Sequence, residues 1–293
     1  MESGLDEAPR ARLVELESRG GGMAALDFGD PARPVDIVFV HANGFNARTY
    51  RSILAPLAQD LRILAVDQRG HGRSTLPAVV EGRETWDGFR DDLLALLTHL
   101  DLREVVLSGH SMGGTASLLA QAEAPERVRS VVLFDPVIMT APPPGMEGAF
   151  ANSPLVQGAL RRRALFPDKA SVVAAYTGRG AFKTWRGSML ADYVEDGFRQ
   201  RPDGQVELTC DPQWEASNFS THGHDAWDAF DRAQVPLRIL RAEVGSTCRE
   251  DPRLDAMVGD GRLRMETVAG TSHFLPMERP DLVAAALREA VGS

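Results

Sequence analysis

A serine lies at the centre of a short glycine motif at residues 109–113. The run Gly-His-Ser-Met-Gly places Ser111 directly after a β-branched segment and directly before a helical pattern. The pattern G-x-S-x-G is typical of a tight, strained strand-to-helix turn that exposes the serine oxygen at the carboxyl end of a sheet. Glycines two positions to either side remove side chains that would clash with the neighbouring strand and helix. The motif therefore predicts that Ser111 is a nucleophile.

The predicted nucleophile needs a base, because a serine hydroxyl attacks poorly at neutral pH. Among seven histidines, His273 lies between the last predicted strand and a C-terminal helix that begins near Pro280, which places it on a loop at the carboxyl edge of the sheet. His222 and His224 suggest a metal pair, but no carboxylate at helical spacing completes a ligand set. His273 is thus one histidine placed to act as the base, and we expect His222 and His224 on a surface loop, with no metal site.

Short β-branched runs alternate with helical patterns along most of the chain. The predicted strands are residues 35–40, 61–66, 105–108, 128–134, 236–240 and 262–268, and the predicted helices are residues 49–59, 85–100 and 111–122. Most of these strands are too uniformly apolar to be half-exposed, and such alternation favours a mostly parallel sheet covered on both faces. Two segments before residue 30, RLVELE and MAALDF, predict an antiparallel start to that sheet.

The alternation stops between about residues 137 and 234, where a proline-rich stretch at 141–145 opens the segment. Helical patterns and a Pro-Asp-Gly turn at 202–204 follow, without the length or pattern for a second parallel sheet. The helical patterns are residues 154–163, 169–176 and 184–198. We predict a core domain of residues 1–136 and 235–293, with residues 137–234 inserted as a mainly helical cap, or lid, over the serine.

Four motifs in chain order resemble those of the α/β-hydrolase superfamily across nearly the whole length. They are HANGF at 41–45, DQRGHGRS at 67–74, GHSMGG at 109–114 and GTSHFLPMERP at 270–280, and each follows a predicted strand. The resemblance implies an α/β fold with a mostly parallel eight-stranded sheet and helices on both faces. It also implies a catalytic triad in the order serine, acid, histidine, with His273 as the general base of Ser111.

The oxyanion hole of such an enzyme needs two backbone N–H donors. Met112 begins the helix after the nucleophile, so its amide is one predicted donor. The resemblance implies that the second comes from the residue just beyond a His-Gly pair. Ala42 replaces that glycine, so Asn43 occupies the donor position. Phe45 is the alternative, because the extra Gly44 leaves the register of this loop open.

The acid of the triad departs from the family pattern. The resemblance implies an aspartate shortly after the next-to-last strand, but Gly245 and Ser246 stand there. Asp135 ends the preceding strand of the sheet, where some branches of the family place the acid. Glu243 ends the strand beside the gap and has a longer side chain. Asp135 is the preferred candidate and Glu243 the alternative.

Composition excludes several other classes of protein. The chain has 293 residues and a formal net charge of −9, which disfavours nucleic acid or an anionic membrane as a partner, since both need a basic face. It contains no run of about 18 apolar residues, and its N-terminus is charged where a signal peptide would be apolar. We expect a cytoplasmic protein whose partner is a small-molecule substrate.

The reaction predicted for this site is acyl transfer to water, with no metal or organic cofactor. The aromatic content of the insertion suits a small or medium hydrophobic acyl or aryl group, which makes a carboxylic ester hydrolase the leading interpretation. A carbon–carbon bond hydrolase for a dienoic or β-diketone substrate would use the same serine and histidine, and a perhydrolase is a further alternative. Because no aspartate follows the next-to-last strand, a non-catalytic ligand receptor is the rival interpretation to an enzyme. The resemblance disfavours epoxide hydrolysis and dehalogenation, which need an aspartate where Ser111 stands.

Overall fold

Strands of the main sheet come from both ends of the chain. The computed structural model describes residues 8–139 and 150–292. Its strands are β1 Arg10–Leu16, β2 Gly21–Phe28, β3 Ile37–Val40, β4 Ile63–Val66, β5 Val105–His110, β6 Val128–Phe134, β7 Leu165–Phe166, β8 Phe198–Gln200, β9 Val206–Leu208, β10 Leu237–Val244 and β11 Leu263–Ser272. Eight of them form one sheet in the order β1-β2-β4-β3-β5-β6-β10-β11.

Most of the helices fall between these strands, and the last two follow β11. They are α1 Arg51–Leu54, α2 Asp87–His99, α3 Met112–Glu123, α4 Pro154–Leu160, α5 Lys169–Tyr176, α6 Gly187–Gly197, α7 Pro212–Ser220, α8 Ala226–Asp231, α9 Pro252–Gly259, α10 Leu275–Glu278 and α11 Pro280–Gly292. None of the described helices is long and apolar enough to cross a lipid bilayer.

Pairing in the main sheet follows the sequence expectation. β1 and β2 pair antiparallel with each other, and β2 pairs antiparallel with β4. From β4 onwards, each pair of neighbours is parallel. β3 and β4 are buried at every residue, because helices cover both faces of the parallel part. The predicted mostly parallel eight-stranded sheet is confirmed.

Side chains that alternate along the strands form two apolar cores, one on each face. Val38 and Val40 lie in the core beneath α2 and α3, whereas Ile37 and Phe39 lie in the core beneath α1 and α11. This alternation is the two-residue period of a strand. Because β3, β5, β6 and β10 pair parallel with one another, their carboxyl ends lie at the same edge of the sheet.

The predicted helix at residues 49–59 is broken into short pieces. A 3₁₀ turn at Ala47–Tyr50 precedes α1, and a second 3₁₀ turn at Ala55–Leu57 follows it. Pro56 lies in the second turn, and proline cannot donate the backbone hydrogen bond that would continue an α-helix.

The described part of the insertion between β6 and β10 contains α4 to α8 and a small antiparallel sheet in the order β7-β9-β8. The predicted turn at residues 202–204 connects β8 to β9, with Gly204 at a φ of 87°. The proline-rich stretch at 141–145 lies outside the described residues.

Helix α6 attaches this insertion to the chain segments that follow β3 and β4. Asp192 receives a hydrogen bond from Arg51 Nε at 2.7 Å. One turn further along, the buried Asp196 receives one from Arg48 Nε at 2.7 Å and pairs with Arg73 at 2.6 Å. Because Asp192 and Asp196 are four residues apart on a helix, both point to the same side. The insertion is thus held against the carboxyl edge of the sheet.

Candidate active site

The turn between β5 and α3 holds Ser111 in a strained conformation. Its φ is 54° and its ψ is −124°, a region that non-glycine residues rarely occupy. A Cβ on Gly109 would lie 2.5 Å from the carbonyl carbon of Gly113, and one on Gly113 would lie 2.3 Å from Val40 O. Only glycine therefore fits at either side of the serine, as the motif predicted.

Ser111, His273 and Asp135 form one continuous chain of hydrogen bonds. His273 Nε2 lies 3.0 Å from Ser111 Oγ, and His273 Nδ1 lies 2.6 Å from Asp135 Oδ2. A carboxylate only accepts, so the Nδ1 proton is the one donated to Asp135, which leaves Nε2 free to accept the serine proton. This geometry can activate a hydroxyl for nucleophilic attack.

Asp135 is fully buried and every described contact of its carboxylate is a donor. Oδ1 accepts from Ala242 N at 2.9 Å and from Ser246 Oγ at 2.5 Å, while Oδ2 accepts from Thr247 N at 3.1 Å. Burial raises the pKa of Asp135, but the hydrogen bond and the positive charge of His273, with the other donors, outweigh it and lower that pKa. The carboxylate is therefore charged at neutral pH.

Glu243 lies outside this chain of hydrogen bonds. Its side chain is exposed, and Oε2 accepts from Gly270 N at 2.9 Å. The preceding residue, Ala242, gives its backbone N–H to Asp135 Oδ1 at 2.9 Å. Of the two candidate acids, the fold brings Asp135 to His273 and leaves Glu243 on the surface.

The loop after β3 presents one unused amide beside the nucleophile turn. Gly44 N donates to His71 Nε2 at 3.0 Å, and Phe45 N donates to Ala42 O at 3.1 Å. Among the described residues, the N–H groups of Asn43 and Met112 have no protein acceptor. Both predicted oxyanion donors are thus free to bind a ligand oxygen, whereas the amide of Phe45, the alternative, closes a turn.

Helix α7 fixes the side chain of Asn43. Its Nδ2 donates to Glu215 O at 3.0 Å, and its Oδ1 accepts from Asn218 Nδ2 at 2.8 Å. The Glu215 carboxylate covers Gly44, where a Cβ would lie 2.5 Å from Oε1. The insertion and the loop after β3 therefore share one set of contacts.

Two buried histidines, His41 and His71, hold the loop after β3 through hydrogen bonds. His41 Nδ1 bonds to Ala42 O at 2.7 Å, and its Nε2 accepts from Gln68 N at 2.9 Å. Burial, with the charges of Arg162 and Arg83, lowers the pKa of His71 to about 4 despite a backbone hydrogen bond to Arg69. Both rings serve as fixed hydrogen-bonding groups that hold the loop after β3.

Three aromatic rings form a cluster near the candidate base, His273. The ring of Phe45 is 5.1 Å from that of Trp185 and 6.3 Å from that of Phe274, and Trp185 and Phe274 are 6.2 Å apart. Phe274 directly follows His273, and Trp185 comes from the insertion. Aromatic contacts at such distances are favourable, and the cluster lies beside the base, because the rings of Phe274 and His273 are 5.8 Å apart.

The prediction that His222 and His224 lie on a surface loop is wrong for His224. His224 is buried and stacks on Trp86, with ring centroids 4.4 Å apart. Within the described ranges, no group of three potential metal ligands occurs. The pair belongs to the packing of the insertion against α2.

Ser246 and Thr247 were not assigned from the sequence. A hydroxyl residue in a loop carries no signal of its own until the fold places that loop beside a buried carboxylate. Their contacts with Asp135 span 111 and 112 residues of chain.

The fold and the sequence both resemble known enzymes. The chain is 27% identical over 257 residues to the 2-(acetamidomethylene)succinate hydrolase of Mesorhizobium japonicum, covering 86% of each protein. A crystal structure of E-2-(acetamidomethylene)succinate hydrolase superposes with a TM-score of 0.80 and 22% identity, over 97% of this chain and 100% of that one. At that identity the superposition shows a shared fold.

Two further relatives carry different names. The chain is 35% identical over 285 residues to a haloalkane dehalogenase of Agrobacterium fabrum, covering 94% of this chain and 90% of the relative. It is 31% identical over 218 residues to the dihydrolipoyllysine-residue acetyltransferase component of the acetoin cleaving system of Pseudomonas putida, and it spans 56% of that protein's length. A model described as the alpha/beta hydrolase family matches residues 37–286.

Proposed function

The chain belongs to the alpha/beta hydrolase family, and from this premise we propose that it is a serine hydrolase acting on carboxylic esters with a hydrophobic acyl or aryl group. The observation that carries the proposal is the hydrogen-bonded chain from Ser111 Oγ through His273 to Asp135, at 3.0 and 2.6 Å. The same geometry is what acyl transfer through a serine requires.

The proposed reaction proceeds in two acyl transfers. His273 Nε2 takes the proton of Ser111 as the oxygen attacks the ester carbonyl, and Asp135 stabilises the imidazolium that results. The amides of Asn43 and Met112 bind the oxyanion. The alcohol then leaves with the proton from His273. Water, activated by the same imidazole, attacks the acyl enzyme and releases the carboxylic acid and free Ser111.

A serine nucleophile argues against the chemistry named for the dehalogenase relative. Displacement of a halide by Ser111 would join the serine to the substrate through an ether, which has no carbonyl for water to attack. Turnover would stop after one event. An ester substrate instead leaves an acyl group on the serine, which the same base can hydrolyse.

The aromatic rings of Phe45, Trp185 and Phe274 support a hydrophobic acyl or aryl group. They lie within 6.3 Å of one another, and Phe274 is adjacent to the base. Burial of apolar surface against such rings stabilises a bound acyl chain by about 0.8 kcal/mol for each methylene. A preference for longer chains follows.

We propose that the insertion at 137–234 is a lid over Ser111. This rests on Asn218 and Glu215 of α7, which contact the loop of Asn43, and on Trp185, which contacts Phe45. A lid that excludes water strengthens the hydrogen bonds formed in the transition state.

A p-nitrophenyl ester series from acetate to decanoate tests the proposal, with wild type, Ser111→Ala and Ser188→Ala. Ser188 is exposed at the start of α6, so its variant should match wild type. We expect kcat/KM to rise with chain length and Ser111→Ala to lose at least about 1,000-fold in kcat. Activity that survives in Ser111→Ala would refute the proposal.

Labelling by a fluorophosphonate completes this test, because it needs an activated serine and no matching substrate. Labelling of Ser111 without hydrolysis of any ester would move the assignment to the carbon–carbon bond hydrolase. Absence of both labelling and hydrolysis would move it to the ligand receptor.

A further inference from the structure

The imidazole of His110 lies between the two loops of the proposed site, and the mechanism above does not use it. It is completely buried. Its Nδ1 is 2.7 Å from Tyr50 Oη, and its Nε2 is 2.7 Å from the backbone oxygen of His273. Tyr50 Oη also accepts a hydrogen bond from Ala42 N at 3.2 Å. One chain of contacts thus runs from the loop of Asn43 to the backbone of the base.

The chemistry of the end groups fixes the direction of every bond in this chain. The His273 carbonyl can only accept, so His110 Nε2 carries the hydrogen. The Ala42 amide can only donate, so Tyr50 Oη accepts it and gives its own hydrogen to His110 Nδ1. The neutral Nε2–H tautomer of His110 satisfies all three contacts.

Burial keeps both groups in these protonation states. It raises the pKa of Tyr50, which stays a phenol. It also lowers the pKa of His110 to about 3, together with the charge of His273 and against a hydrogen bond to the His273 backbone. Asp135, which acts in the opposite direction, and His41 are the other titratable groups that influence the ring of His110. The ring therefore stays neutral while the base cycles.

We propose that His110 is a positioning residue, which holds the backbone of His273 so that the imidazole of His273 reaches Ser111 and Asp135 together. Tyr50 selects the tautomer that makes this possible. The inference rests on the proposed function. The His273 ring has contacts of 3.0 and 2.6 Å on opposite sides, so a backbone shift of about 1 Å breaks one of them. A displacement of that size costs a rate factor of about 100.

Two substitutions at His110 separate positioning from packing. The amide nitrogen of His110→Gln lies where Nε2 lies and can still donate to the His273 carbonyl. His110→Leu fills the buried space with apolar atoms and has no donor. We expect His110→Leu to lose about 10- to 100-fold in kcat with KM nearly unchanged, and His110→Gln to recover most of that loss. If His110→Leu is as active as wild type, or more active than His110→Gln, the role is packing and the proposal is wrong.

The tautomer is testable without any substrate, which keeps this inference separable from the proposed function. Long-range proton–nitrogen spectra of ¹⁵N-histidine-labelled enzyme should show His110 as the Nε2–H tautomer, unchanged between pH 5 and 8. His110→Gln assigns the signal, and Tyr50→Phe should broaden or shift it. An Nδ1–H tautomer, or titration of His110 in this range, would overturn the proposal even if ester hydrolysis is confirmed. If no ester is hydrolysed but the tautomer is found, only the proposed function fails.

Discussion

Ser246 donates its hydroxyl hydrogen to Asp135 Oδ1 across 2.5 Å. The backbone N–H of Thr247 donates to the other carboxylate oxygen at 3.1 Å. Because β6 and β10 are neighbours in the sheet, the loop after β10 lies directly beside Asp135, the residue that follows β6. The loop expected to carry an aspartate therefore supplies donors to the aspartate of the adjacent strand.

Asp135→Asn tests which carboxylate supports the base. The variant keeps the shape of the side chain but removes the charge that stabilises the His273 imidazolium, so we expect kcat to fall by about 10,000-fold. Glu243→Gln is the matched control, since Glu243 is exposed. Within the described part of the chain, its carboxylate accepts a hydrogen bond from Gly270 N alone. Steady-state kinetics on the preferred ester measures both. Near-full activity of Asp135→Asn would mean that another group supports His273.

Substitution of Ser246 tests the loop that replaced the expected acid. Ser246→Ala removes one donor to a buried carboxylate, which should lower the free energy of unfolding by about 1 kcal/mol. Ser246→Asp should cost more, about 1–3 kcal/mol, because a second carboxylate would face Asp135 at hydrogen-bond distance. Urea unfolding curves compare the three proteins. A Ser246→Asp variant as stable and active as wild type would contradict this view of the loop.

Gly113→Ala tests the steric demand of the nucleophile turn. The added Cβ would lie 2.3 Å from Val40 O and 2.4 Å from His41 O, and backbone atoms such as these cannot rotate out of the way. We expect a loss of about 1–3 kcal/mol in unfolding free energy, with much lower activity. Gly187→Ala is the control, because a Cβ there meets no atom within 4 Å. Equal stability of the two variants by thermal or urea unfolding would argue against the close approach.

Acid should destabilise the folded chain between about pH 6.5 and 4. Burial lowers the pKa of His71 to about 4 and those of His110 and His224 to about 3, from an ordinary 6.5. The unfolded chain therefore binds these protons first, and each group lowers the unfolding free energy by up to about 1.4 kcal/mol per pH unit. Burial raises the pKa of Asp67 to about 6 and also raises the pKa of Asp192, and these two carboxyl groups act in the opposite direction to the three histidines.

Urea unfolding at pH 7 and pH 5 measures this dependence, and we expect a loss of about 2 kcal/mol or more on acidification. His224→Phe keeps a ring against Trp86 but cannot titrate, so its loss should be smaller. His99 is exposed at the end of α2, so His99→Gln should behave as wild type does. Stability that is flat or rises towards pH 5 would show that these histidines are not buried as neutral groups.

The main sheet and the nucleophile turn were predictable because their signals are local. Uniformly apolar runs such as those of β3 and β4 indicate strands buried on both faces, and the glycine motif around Ser111 is contained in five consecutive residues. Even there, Pro56 divided a helix that the apolar pattern had predicted as continuous. Local patterns report the period of an element more reliably than its ends.

The partners of the site were decided by tertiary structure alone. Asp135 and His273 are 138 residues apart, and Tyr50 and His110 are 60 residues apart. Both pairs meet because the order of strands brings separate loops to one edge of the sheet. The sequence by itself determined the family, the fold and Ser111 with His273 as candidates, since short motifs encode them. Which carboxylate reaches the base, and which ring holds its backbone, depends on contacts of 2.6 and 2.7 Å between segments far apart in the sequence. Only the folded chain brings those segments together.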